Sequence, residues 1–161
     1  MDSQAPNKVV KEAFENNIIT LPNLGKINYI KPEFVLGNSR LDFFVTDIDG
    51  NEGYVEVKGV TLENNGIASF PDAPTERGIK HINELSEVAK SGKNAYIIFV
   101  IQMSDPTVFT PNYERHAAFA EALRDAEKHG VNILAYDCKV THNTLDISHK
   151  ISVNLNAGIF N

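Results

Sequence analysis

The sequence contains no tryptophan and a single cysteine, Cys138. One thiol excludes an internal disulfide and fits a reducing compartment, and no Cys/His cluster has zinc spacing. The longest apolar run, AYIIFVI, is far shorter than the roughly 20 residues a bilayer-spanning helix needs. The polar start MDSQAPNKVVKE carries no apolar signal segment, so a cytoplasmic chain without membrane contact is expected. Positive charge is also scarce. Fifteen basic against 21 acidic residues leave a net charge of −6, the wrong sign for a protein that coats nucleic acid. Any DNA contact must therefore come from a local basic patch. A glycine-rich phosphate loop, a Gly-x-Ser-x-Gly word, internal repeats and low-complexity segments are all missing.

What is present is ordinary for one globular domain: 161 residues, 42% apolar and 22% charged. Residues 7–16 read as a short helix after Pro6, with Val9, Val10, Ala13 and Phe14 on one face. INYIKPEFVLG is strand-like, but Pro32 makes it an edge strand or two short pieces. A hairpin follows over residues 41–60, with Asp49-Gly50-Asn51 at its tip. Asn64-Asn65-Gly66 is a turn, and Pro71 and Pro74 bracket the start of a helix over 75–90 that Gly92 closes. NAYIIFVIQM has the continuous apolar character of a strand covered on both faces. SDPTVFTPN reads as a loop, RHAAFAEALRDAEKHG as a helix, and VNILAYDCKV and residues 145–155 as strands. Helices alternating with strands predict an α/β fold with a mixed central β-sheet flanked by helices.

The hairpin carries the chemistry. Glu56 and Lys58 lie two apart on one strand and so share a face. In the register that sets Asp42 opposite Glu56, the two Cβ atoms stand about 4.5–5.5 Å apart, within reach of one cation. Two carboxylates and a lysine around Mg²⁺ or Mn²⁺ suit phosphodiester hydrolysis, because the ion neutralises phosphate and acidifies water. On spacing alone, a polar sheet face open to solvent is the commoner source of Glu-x-Lys. Glu12, on the first helix, is a further ligand candidate, although a solvated helix glutamate is the commoner case. Arg77, Lys80, His81 and Glu84 form a polar helical stripe that suits phosphate contact or plain solvation. His116, three residues before Phe119 on an apolar stripe, reads as a satisfied boundary histidine, and Cys138 as a small buried hydrophobe.

The words YVEVKGVTL and IASFPDAPTERGIKHINEL, with APNKVVKEA and GVNILAYDCKV, resemble the C-terminal domain of the sugar fermentation stimulation protein A (SfsA) family over nearly the whole chain. The resemblance implies a restriction-endonuclease-like core of the PD-(D/E)XK type. Within it Asp42 would be the motif aspartate, Glu56 the acidic member and Lys58 the lysine. Glu12 would match a helix acid, and Arg77 and His81 would match the segment after Pro-Asp-Ala. It implies DNA as partner, a link to sugar (maltose) metabolism and nuclease activity inferred from the fold. The alternative is a regulatory DNA-binding protein with a vestigial site. A module acting only through protein partners also agrees with the −6 charge.

Family members carry an OB-like domain before this one, and the chain begins at its boundary. The expectation is a single nuclease-like domain over 1–161 that binds DNA weakly or non-specifically by itself, its oligomeric state open with a homodimer as the candidate. His116-Ala117 also stands where the family tends to have Asp-Pro before the third helix.

Overall fold

The computed structural model describes residues 4–156. Helix α1, Ala5–Glu15, has Pro6 in its first turn, where the missing N–H costs nothing, and ends before Asn17 at φ 56°. Strands β1 (Ile27–Leu36), β2 (Ser39–Asp47) and β3 (Glu52–Val60) form an antiparallel meander. A short hairpin follows, β4 (Leu62–Asn64) and β5 (Ile67–Phe70), turning through Asn65 and Gly66 at φ 53° and 84°. Helix α2 (Glu76–Lys90) is capped by Thr75, whose Oγ1 accepts from the Gly78 amide at 2.9 Å. Strand β6 (Asn94–Ile101), strand β7 (Val108–Pro111), helix α3 (Ala117–Lys128), and strands β8 (Asn132–Val140) and β9 (Leu145–Val153) complete the elements of the described residues.

All nine strands join one mixed sheet in the order β1-β2-β3-β6-β8-β9-β7-β5-β4. β3, β6 and β8 are parallel and central. Every residue of β6 from Ala95 to Ile101 is buried, as its unbroken apolar run requires. One face packs Val9, Val10, Ala13 and Phe14 of α1 against Val45, Val55, Val57 and Ile98. The other packs Ile82, Leu85 and Val88 of α2 and Phe119 and Leu123 of α3 against Tyr54, Ile97 and Phe99. Thus α1 lies on one side of the sheet, and α2 and α3 on the other.

The mixed α/β architecture agrees with the sequence expectation; two local readings are sharpened and the third, a loop over 104–112, needs correction. The segment through Pro32 is one continuous ten-residue strand at the sheet edge, where a missing donor does no harm. The stretch after Thr61 forms a strand pair around its Asn-Gly turn. The presumed loop 104–112 contains β7, which pairs with β5 along four residues and with β9 through only Val108–Ser152 and Phe109–Val153. Among the described residues no helix is long and apolar enough to cross a membrane.

Candidate active site

The site forms where two strands part. The β2–β3 ladder runs from Thr46 opposite Glu52 to Phe43 opposite Val55, which sets Asp42 against Glu56, the register the site requires. Beyond that point side chains replace main-chain carbonyls as acceptors. The Val57 amide donates to Asp42 Oδ2 at 2.7 Å, and the Asp42 amide donates to Glu56 Oε1 at 3.3 Å. From α1, Asn7 Nδ2 donates to Asp42 Oδ1 at 3.0 Å. Asp42 is thus held from β3 and α1, and Glu56 from β2.

Glu56 is 2% exposed. Its Oε2 lies 2.5 Å from His81 Nδ1, across from α2, and 3.5 Å from Lys58 Nζ. At 2.5 Å from a carboxylate the ring nitrogen must donate, so Nδ1 carries the proton. Lys58 Nζ is also 2.8 Å from that nitrogen. Two donors therefore crowd one another over a single carboxylate oxygen.

The two acids differ in their affinity for protons. Burial, followed by the facing charge of Glu56 and a shared hydrogen bond, pushes Asp42 up to about 6. Burial alone would raise Glu56 too. Hydrogen bonds from His81 and Asp42, and the charges of Lys58 and His81, outweigh it and leave Glu56 below its ordinary value. Two facing acids, one of them with its proton affinity raised by the other's charge, mark a deficit of positive charge that a hard divalent cation would relieve. Among the described residues no three His, Cys, Asp or Glu side chains are grouped as a metal cage. An ion held by this pair would complete its shell with water and ligand oxygens, as Mg²⁺ does.

The chain matches the family described as the sugar fermentation stimulation protein RE domain over residues 4–144. It belongs to that family. A sugar fermentation stimulation protein homolog of Desulfitobacterium hafniense is 47% identical over 158 residues, 98% of this chain and 67% of its own length. The homolog of Clostridium kluyveri is 50% identical over 155 residues, 96% of this chain and 66% of its own length. The solved structure of Pyrococcus furiosus SfsA in complex with Ca²⁺ superposes with a TM-score of 0.86 at 30% identity, over 95% of this chain and 65% of that one. The chain spans about two thirds of the length of these sugar fermentation stimulation protein relatives.

Asp42, Glu56, Arg77, Lys80 and His81 line one cleft of about 860 Å³; Lys58 does not line it and contacts the cleft residues Glu56 and His81. Glu12 is exposed on α1 and does not line this cleft; the contact from α1 to the acid pair comes from Asn7. Sequence reasoning missed Asn7, Lys8 and Lys11, all of which line the cleft. Their signal was their position one helical turn apart on the polar side of α1, but only the packing of α1 against β3 shows which way that side faces. His116 is the boundary residue expected, half-buried and accepting from the Thr75 amide at Nδ1. Cys138 is buried, and burial pushes its thiol up to about 12, so it carries no nucleophile.

Proposed function

We propose that this domain hydrolyses phosphodiester bonds in DNA with Mg²⁺ or Mn²⁺, in the manner of PD-(D/E)XK nucleases. The observation that carries the reading is the register placing Asp42 opposite Glu56, with Lys58 on the Glu56 carboxylate. Ca²⁺ in the Pyrococcus furiosus relative supports a divalent ion, and the family's description as an RE domain supports the reaction class. Asp42 and Glu56 would hold the ion, which when bound would supply charge neutralisation and a more acidic water. Asn7 keeps Asp42 turned toward Glu56. Lys58, crowded by His81, is poised to leave Glu56 for an incoming water or phosphate oxygen. His81 stays on Glu56 and fixes its orientation, while Arg77 and Lys80 offer charge to the phosphates.

Incubating the chain with plasmid and linear DNA in Mn²⁺ tests this. Glu56→Gln and Lys58→Ala should each slow cleavage by about 10²–10³-fold. Cleavage that survives both substitutions would assign the activity elsewhere.

A second reading has its own support: Glu56 is already satisfied by Lys58 and His81 without an ion. On that reading the domain is a DNA-binding regulator with a vestigial site, and any connection with sugar metabolism runs through binding alone. Calorimetric titration of Mg²⁺ into wild type and Asp42→Ala separates the two. Metal affinity that depends on Asp42 supports the nuclease; its absence supports the regulator.

A further inference from the structure

Among the described residues only Arg40, Lys58 and Lys90 of the 15 Lys and Arg side chains make ion pairs, so what sets a cation apart is where it stands. Lys8 has Glu12, Lys11 has Glu15 and Lys80 has Glu84 one helical turn ahead, at the spacing that favours pairing. None of these pairs is formed, and among the described residues Lys8, Lys11, Arg77 and Lys80 make no ion pair. All four are exposed, and all four line the cleft that holds the acid pair. A fifth cation of that cleft, Arg40, is occupied by Glu33 at 2.9 Å.

Their placement follows from the fold. Helix α1 covers one face of the sheet and α2 the other, and the cleft opens where β2 and β3 separate between them. Lys8 and Lys11 therefore approach the acids from one face, and Arg77 and Lys80 from the opposite face. Unpaired cations on both sides suit a polyanion that continues past the acid pair in both directions.

We infer that Lys8 and Lys11 form a second phosphate-binding wall, so that a DNA strand crosses the acid pair with its phosphates gripped by α1 on one side and by α2 on the other. This rests on the reading of the cleft as a DNA site and extends it. The site would engage an internal linkage, and the chain would bind DNA despite its net negative charge because the contact is local.

The test is binding of a short labelled DNA duplex by wild type in Ca²⁺, measured by anisotropy across about 50–200 mM salt. Lys8→Gln/Lys11→Gln should reduce the slope of log K against log salt by about 1.8 and weaken binding roughly tenfold at the low-salt end. Lys128→Gln/Lys139→Gln removes the same charge from exposed positions outside the cleft and should change affinity less than about twofold. Melting curves and retained Ca²⁺ affinity confirm that the α1 variant is folded with its acid pair intact. Equal losses in both double variants would overturn the wall, since net charge alone would then explain them. So would an unaffected α1 variant beside a weakened Arg77→Gln/Lys80→Gln, and that result leaves the nuclease reading standing. Binding with the expected slope but no cleavage in Mn²⁺ would keep the wall and remove the nuclease. No binding by wild type even at low salt would overturn both.

Discussion

Asp42, inside β2, and Asp47, at its C-terminal end, are displaced in opposite directions. Asp47 is held down to about 2, first by the Gly25 amide and then by the side chain and amide of Asn51 and the amide of Asp49. Its contribution to stability is present above about pH 4 and is lost as pH falls toward 2. Asp42 is pushed from 3.8 up to about 6, so between those values the folded state binds a proton that the unfolded state does not. Stability therefore falls as pH rises through that window and stays lower above it. Removing the charge should reverse the loss. In chelator at pH 8, Asp42→Asn is expected to be more stable than wild type by about 1–3 kcal/mol, read as a melting temperature higher by several degrees. Saturating Ca²⁺ should restore the wild-type advantage. An unchanged or lower melting temperature in chelator would show that the Asp42 charge is not a burden. In the sequence, two-residue alternation puts Glu56 and Lys58 on one face, but it leaves the register of Asp42 open, and the family resemblance, more than spacing, singles out the three. The anchoring role of Asp47 was missed, since its partner Gly25 lies on a distant loop.

At the scale of elements, the approach of α1 to β3 decides whether Asn7 reaches Asp42. Gly59 permits that approach: a Cβ there would stand 2.8 Å from Pro6 Cγ and 2.6 Å from Gln102 Nε2. The glutamine tip can swing away, but the proline ring moves only with the start of α1. Gly59→Ala is expected to cost about 1–3 kcal/mol in denaturant unfolding and to weaken Ca²⁺ binding by drawing Asn7 from Asp42. Unaltered stability and affinity would show that the helix accommodates the methyl group. Long elements such as α2, α3 and β6 declared themselves by period or by unbroken apolar character. The strands of three and four residues, β4, β5 and β7, are too short to show a period, and neighbouring proline and asparagine gave them the look of turns. The one-turn spacing of Lys8 and Lys11 was visible, but which cleft they face depends on how the helix is seated.

At the scale of the whole molecule, spatial order departs from sequence order around β9, which lies between β8 and β7. No local pattern announces such a placement, because it depends on pairings between segments far apart in the chain. β7 meets β9 through only two residue pairs, so the β4–β5–β7 portion is held mainly by rings. Phe109 stacks on Phe99 at 4.2 Å, and Phe70 leans on Phe99 and Phe119 at 5.7 and 5.2 Å. Native-state hydrogen exchange should find β5 and β7 opening before β6 and β8, with Phe109→Leu widening the gap by about 1 kcal/mol. Uniform protection across those strands would mean a single cooperative unit. The two-pair seam also bears on how the cleft admits its ligand. The chain between Lys58 on β3 and His81 on α2 runs through β4 and β5. Opening of this peripheral patch at its two-pair seam would loosen the tether between the two donors on Glu56 while the parallel centre of the sheet stays shut. Entry to the acid pair would then be clocked by the breathing of a peripheral patch, and a ligand that bridges Lys58 and His81 would slow exchange in strands it never touches.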